Sequence, residues 1–147
     1  MVRLMQGVVD GVYNPRLKHP KSGEPGVRTG TGRRIRFRYK IEGEICGKTG
    51  TTQNNSDGWF MGYTPELING VWVGCEDRSA HFRSTVLGQG ANMALPIWGL
   101  YMQKIYSDST LKYSPKTTFK VPDQELTLEL DCEKKKTSDD GGFNEFD

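Results

Sequence analysis

Two aromatic and β-branched runs, Gly58 to Tyr63 and Gly70 to Cys75, stand six residues apart and constrain the fold more than any other feature. The link between them, TPELIN, contains Pro65 and leads into Asn69-Gly70. Both are turn chemistry, so the two runs are expected to pair as an antiparallel hairpin. A third strand is expected over Glu44 to Thr52, which leads into a Gly-rich turn. Further on, Gly90 to Asp108 reads as a helix with Ala94, Trp98, Tyr101 and Ile105 on one face and Leu95 and Met102 flanking it. Pro96 falls early in that stretch, where a first turn tolerates it. The fold class that follows is α/β of the α+β kind: an antiparallel sheet of three or more strands with a C-terminal helix packed on one face.

The remainder is less regular. Met1, Leu4, Met5, Val8 and Val9 recur at helical spacing, and Gly11 is expected to stop that helix. Residues 11–32 hold three prolines and many glycines and read as a long surface loop. From Arg34 to Lys40 basic residues alternate with Ile35, Phe37 and Tyr39, a period of two that predicts an extended strand or arm with a basic outer face. Residues 119–147 are polar, with the composition of a disordered tail, which leaves 1–118 as the folded portion.

Composition and charge exclude several classes. The longest apolar stretch, Ala94 to Met102, falls well short of the ~20 residues a membrane span needs, and the first residues do not form a signal peptide. The net charge of +2 hides a gradient. Residues 1–48 carry eleven Lys/Arg against four Asp/Glu, residues 49–118 five of each, and residues 119–147 four against nine. Cys46, Cys75 and Cys132 are far apart with no C-x-x-C spacing, and His19 and His81 stand alone, so no metal site is expected. If Cys46 and Cys75 sit two strands apart, at ~10 Å, no disulfide can join them.

The stretch that carries chemistry is Gly47-Lys48-Thr49-Gly50-Thr51-Thr52. A phosphate loop would need G-x-x-x-x-G-K-[ST] running into a helix. Here the nearest upstream glycine, Gly43, is one residue too close, and GTTQNNSDGW is a poor helix start. Lys48-Thr49-Gly50 resembles instead the K-T-G element of penicillin-binding proteins and serine β-lactamases, and the physical logic of that element, a strand at the lip of a site, suits these residues. Lys48 supplies positive potential for a substrate carboxylate, and Gly50 leaves room for a peptide lying along the strand edge. Thr49 and Thr51, two apart, share a face, so both hydroxyls can meet that carboxylate. A backbone N–H just past the glycine can donate to an oxyanion.

The surroundings make the pattern specific. K-T-G-T-T, D-x-W-F-x-G-Y-T-P from Asp57, V-W-V-G from Val71 and G-x-x-x-A-x-P-I-W from Gly90 closely resemble the end of the transpeptidase domain of class A (bifunctional) penicillin-binding proteins. The upstream GTGRR and the opening MVRLMQGVV also suit that family, and the resemblance covers roughly residues 1–106. It implies a partial serine penicillin-recognising (β-lactamase/transpeptidase-like) fold and no metal or organic cofactor. It also implies that Lys48 helps set proton transfer and anchors the acyl donor, while the Thr49 and Thr51 hydroxyls bind the carboxylate of a stem peptide or β-lactam. The Thr51 N–H would be one oxyanion donor, its partner the N–H of the nucleophilic serine. Thr52 is expected to bond within its strand, and Asp57, Trp59, Trp72 and Trp98 to serve packing and turns.

The family attacks with the serine of S-x-x-K, placed before K-T-G with S-x-N between them. Neither motif precedes Lys48, and no S-x-N occurs anywhere in the chain. Ser109-Thr110-Leu111-Lys112 spells S-x-x-K in the wrong order, within a polar turn-like stretch. The expectation is therefore the C-terminal part of a peptidoglycan D,D-transpeptidase, beginning at an internal Met and catalytically incomplete alone. Its partners would be stem peptides and β-lactams, its site the periplasmic face of the inner membrane, and its anchor a helix of the parent protein. A second class stays open, a non-enzymatic module that binds an anionic polymer through the basic stretch 28–40. The charges at Arg34 to Lys40 also suit the solvated face of an edge strand, and no nucleic acid is expected as a partner.

Overall fold

The structure, a computed structural model, describes residues 1–121 and 123. Helix α1 (Val2–Asp10) is followed by strands β1 (Val12–Lys18) and β2 (Pro25–Thr29) and a short helix α2 (Arg34–Phe37). Strands β3 (Cys46–Thr51), β4 (Asp57–Tyr63) and β5 (Ile68–Gly74) come next, then helices α3 (Thr85–Gly88) and α4 (Gly90–Ser107). The sheet β3-β4-β5 is antiparallel throughout, and α4 packs across one of its faces, as the pattern of the sequence predicts.

Alternation along β4 decides how sheet and helix meet. Gly58, Phe60 and Gly62 face α4, and Asp57, Trp59, Met61 and Tyr63 face away. Phe60 and Trp98 are fully buried and meet edge to face at 5.2 Å. Gly62 makes room for the indole, because a Cβ there would lie 2.4 Å from it. The indole N–H then donates to Asn69 Oδ1 at 2.9 Å, which satisfies the one polar atom that burying a tryptophan brings with it. Val9, Ile35, Ile45, Leu95 and Met102 complete the core.

Details depart from expectation. The turn of the β4–β5 hairpin is Thr64 to Leu67, where the Thr64 N–H donates to the Leu67 carbonyl and the Leu67 N–H to Thr64 Oγ1. Asn69 and Gly70 pair with Gly62 and Met61 inside β5 instead of turning the chain, since the threonine hydroxyl already closes the turn. Met102 is buried where Tyr101 was expected. Pro96 is the seventh residue of α4, past its first turn. The helix continues through it, losing only the N–H that would donate to the Asn92 carbonyl.

Residues 12–40 depart most. The stretch expected to be a loop forms the β1–β2 hairpin, with Val12, Tyr13 and Asn14 opposite Thr29, Arg28 and Val27. Most of its side chains are exposed, so it carries no inside–outside alternation to read. Gly26 adopts φ +86°, and a Cβ there would run into the Tyr13 ring. The expected basic strand over 34–40 begins instead as α2. Ile35 and Tyr39, four apart, are both buried, while Phe37 between them is 66% exposed. The Tyr39 ring lies against Gly99 of α4, where even a methyl group would clash at 2.7 Å. A period of two in six residues fits either conformation, and burial of Ile35 and Tyr39 decides between them. The extended basic strand or arm expected over 34–40 is therefore a short helix at its start. Arg36 pairs with Asp10 at 2.7 Å, the one ion pair among the described residues.

The expected tail over 119–147 lies almost wholly outside the described residues. Its first residue, Phe119, packs edge-on against Tyr63 and donates its N–H to Glu44 Oε2.

Candidate active-site strand

Strand β3 pairs with β4 alone, so one of its edges has no strand beside it among the described residues. The register fixes which groups that edge presents. The Thr52 N–H donates to the Asp57 carbonyl at 3.1 Å, and Thr51 stands opposite Gly58. Antiparallel pairs alternate between bonded and non-bonded partners, so Gly50, Lys48 and Cys46 exchange bonds with β4. Thr49 and Thr51 therefore turn their N–H and C=O outward. The outward Thr49 carbonyl accepts a bond from Lys48 Nζ at 2.6 Å.

The side chains divide by the same alternation. Thr49 and Thr51 share the face toward α4. Thr51 Oγ1 accepts the N–H of Gly90 at 3.0 Å, which leaves its own proton free. Thr49 Oγ1 donates to Thr31 Oγ1 at 3.0 Å. Lys48 and Gly50 face the other way, where a Cβ on Gly50 would sit 3.3 Å from the Trp59 Cβ. Lys48, Thr49, Gly50 and Thr51 are thus gathered at one accessible margin.

Two neighbours of this margin escaped the sequence reading. Thr31 is held against β3 because Gly30 and Gly32 let the chain cross the C-terminal end of α1. The Gly32 N–H donates to the Val8 carbonyl at 2.9 Å, and a Cβ on Gly30 would lie 2.7 Å from that same oxygen. The signal was the G-T-G spacing, read only as part of a resemblance. Gly90 comes close to the sheet for a like reason, since a Cβ there would strike the Gly50 carbonyl at 2.2 Å.

Other candidates sort clearly. Thr52 bonds locally, its Oγ1 accepting the Asp57 N–H at 3.0 Å. Asp57 is 9% exposed, with its Oδ1 buried and unpartnered among the described residues. Trp59 and Trp72 pack on each other at 6.5 Å but remain 45% exposed on the face away from α4. Ser109 lies past α4 in a turn held by Asp108, whose carboxylate accepts the Thr110 hydroxyl and N–H. Those bonds hold the Asp108 carboxyl below the usual range. Cys46 and Cys75 are free thiols, and burial pushes the Cys46 thiol up and away from reactivity. Among the described residues no three His, Cys, Asp or Glu side chains gather as a metal site would require.

No family model matches the chain. It is 32% identical to penicillin-binding protein 1A of Neisseria lactamica over 126 residues, which span 81% of this chain and 14% of that protein. The penicillin-binding proteins 1A of Pseudomonas aeruginosa and Aquifex aeolicus are each 35% identical, over 71% of the chain and 12% and 13% of their own lengths. The chain thus spans about one-seventh of the relatives it matches. The crystal structure of penicillin-binding protein 1A from Haemophilus influenzae shares the fold, with TM-score 0.50 and 24% identity over 85% of this chain and 15% of that one.

Proposed function

This chain belongs to the class A penicillin-binding proteins, as a C-terminal part of their transpeptidase region, and from that premise we propose that β3 is the substrate-binding and oxyanion strand of a peptidoglycan D,D-transpeptidase. The parent reaction is attack by a serine on the penultimate D-Ala carbonyl of a stem peptide. The terminal D-Ala leaves, and an acceptor amine resolves the acyl-enzyme. A β-lactam traps the same serine. The serine comes from the S-x-x-K of an upstream segment, since residues 1–47 contain no such motif. The parent works at the periplasmic face of the inner membrane, and no helix among the described residues is long and apolar enough to cross a membrane.

What carries the reading is the β3 edge that pairs with no strand among the described residues, with the Thr51 N–H turned outward there. A peptide added along that edge gains main-chain bonds, and Gly50 has no side chain to obstruct it. The Thr51 hydroxyl proton is free to donate to the substrate carboxylate, because its oxygen accepts from Gly90. Thr31 and Thr49 use one hydroxyl proton between them and keep one for the ligand. Lys48 supplies the charge, giving up its bond to the Thr49 carbonyl as the acyl donor enters.

The test is a chimera in which residues 1–118 replace the corresponding segment of the Pseudomonas aeruginosa relative. A fluorescent penicillin should label it, and Lys48→Ala should slow labelling about 100-fold, the scale of losing one preorganised charge-stabilising group. Labelling unchanged by Lys48→Ala would refute the assignment.

A further inference from the structure

Beside Thr49 the surface opens into a cleft of about 360 Å³ whose lining includes Arg28, Thr31, Arg33, Arg34 and Gln89 and no acidic residue. Each arginine is anchored by one N–H to a main-chain carbonyl: Arg28 to Gly11, Arg33 to Arg28 and Arg34 to Ala91. A carbonyl orients a guanidinium without neutralising it, and four of its five donors are left for another partner. Among the described residues the one ion pair joins Arg36 to Asp10, outside this cleft. Three oriented cations therefore share a concave surface with no counter-charge beside them, an arrangement that concentrates positive potential.

The chain carries a complementary charge of its own. Asp123, Glu125, Glu129, Asp131 and Glu133 fall within eleven residues that contain no Lys or Arg. All five stand at odd-numbered positions, so an extended chain would put them on one side and Leu126, Leu128 and Leu130 on the other. Phe119 fixes where this segment sets out, through its N–H bond to Glu44 and its contact with Tyr63. From Glu44 to Thr49 is five residues of strand, about 17 Å. Glu125 to Glu133 lie six to fourteen residues past Phe119, a reach of about 20–46 Å. We propose that the acidic segment 123–133 docks in the arginine cleft of its own chain. The Arg28 and Arg33 forks suit carboxylates held by paired N–H bonds. Docked there, the segment lies over Thr31, which bonds Thr49, and so competes with the substrate carboxylate. That consequence alone rests on the reading of β3 as the binding strand.

The experiment uses the full chain, isotopically labelled, at low salt, with a nitroxide on Cys132 in a Cys75→Ser background. Cys46 is buried and its thiol is pushed up, so it escapes the label. The nitroxide should broaden the Thr31 amide and the Arg33 side-chain Nε–H far more than the amides of β5, and high salt should reverse the effect. Glu125→Gln, Glu129→Gln, Asp131→Asn and Glu133→Gln made together should cut the broadening about tenfold, the scale of two or three exposed ion pairs. Arg28→Gln, on an exposed side chain, should weaken it too. No broadening at the cleft, or broadening that survives neutralisation of the segment, would overturn the docking. Broadening of a labelled chain by the nitroxide of an unlabelled one would give the cleft to a second copy and overturn docking within the chain. In a chimera extended to residue 147, the four segment substitutions should speed penicillin labelling about tenfold. Docking with labelling unchanged would overturn the competition. Labelling indifferent to Lys48→Ala would instead fault the reading of β3 and leave the docking standing.

Discussion

The sheet β3-β4-β5 with α4, and the segment from β1 through α2, differ in how their structure is encoded. In the sheet, side chains alternate between a buried face and an exposed one, and the same alternation settles where Thr49 and Thr51 point. In the hairpin almost nothing is buried; a cross-strand contact of Gly26 with Tyr13 shapes it, and just beyond it Gly30 and Gly32 let the chain pass over the end of α1. The first region is self-consistent at short range. The second is fixed by neighbours distant in sequence, yet it supplies Thr31 and three arginines to the margin of the site. A site assembled from both is legible only on one side.

The largest effect should come at Thr51. Thr51→Pro removes an outward N–H together with the hydroxyl that accepts from Gly90, and leaves the bonds between β3 and β4 in place, since Thr51 is a non-bonded partner in that ladder. In the chimera it should slow penicillin acylation about 10²–10³-fold, and clearly more than Thr51→Val, which removes the hydroxyl and keeps the N–H. A Thr51→Pro protein that acylates at the parent rate would remove the oxyanion role.

Next in size are the core positions that the two regions share. Trp98→Ala should cost about 3–5 kcal/mol and Ile35→Ala about 2–5 kcal/mol, because both side chains are fully buried in one cluster. Urea denaturation should show one cooperative transition for each. Two separable transitions would mean that α2 and the sheet are independent units, and the comparison would have to be redrawn.

Gly30→Ala tests the crossing over α1. A Cβ 2.7 Å from the Val8 carbonyl must push the chain away, so the change should destabilise by about 1–3 kcal/mol, as overpacking does. Stability equal to the parent would show that Thr31 is placed by something other than these glycines. Smallest is Asp10→Ala, which leaves Arg36 its bond to the Ile41 carbonyl. The pair of Asp10 with Arg36 is partly exposed, with side chains 46% and 29% accessible, so a loss of about 0–1 kcal/mol is expected in the same assay.

What the sequence made legible follows from this contrast. The three strands, both long helices and the grouping of Lys48, Thr49, Gly50 and Thr51 could be read because hydrophobic period and motif agreed. The hairpin β1–β2 was hidden by its prolines and glycines and by its exposure. Helix α2 was hidden because Arg34 to Lys40 alternates cleanly yet buries Ile35 and Tyr39 at helical spacing. The hydrogen bond of Thr31 to Thr49 joins residues eighteen apart, and no local pattern announces it.

The central claim is that this chain contributes the binding strand and that another segment contributes the nucleophile. Intact-mass spectrometry with peptide mapping after incubation with a β-lactam tests it, applied to the chain, its Ser109→Ala variant and the chimera. One adduct per chimera on the upstream serine, and none on the chain or its variant, is the result predicted. An adduct on the isolated chain that Ser109→Ala abolishes, or a folded chimera that takes up no β-lactam, would contradict it.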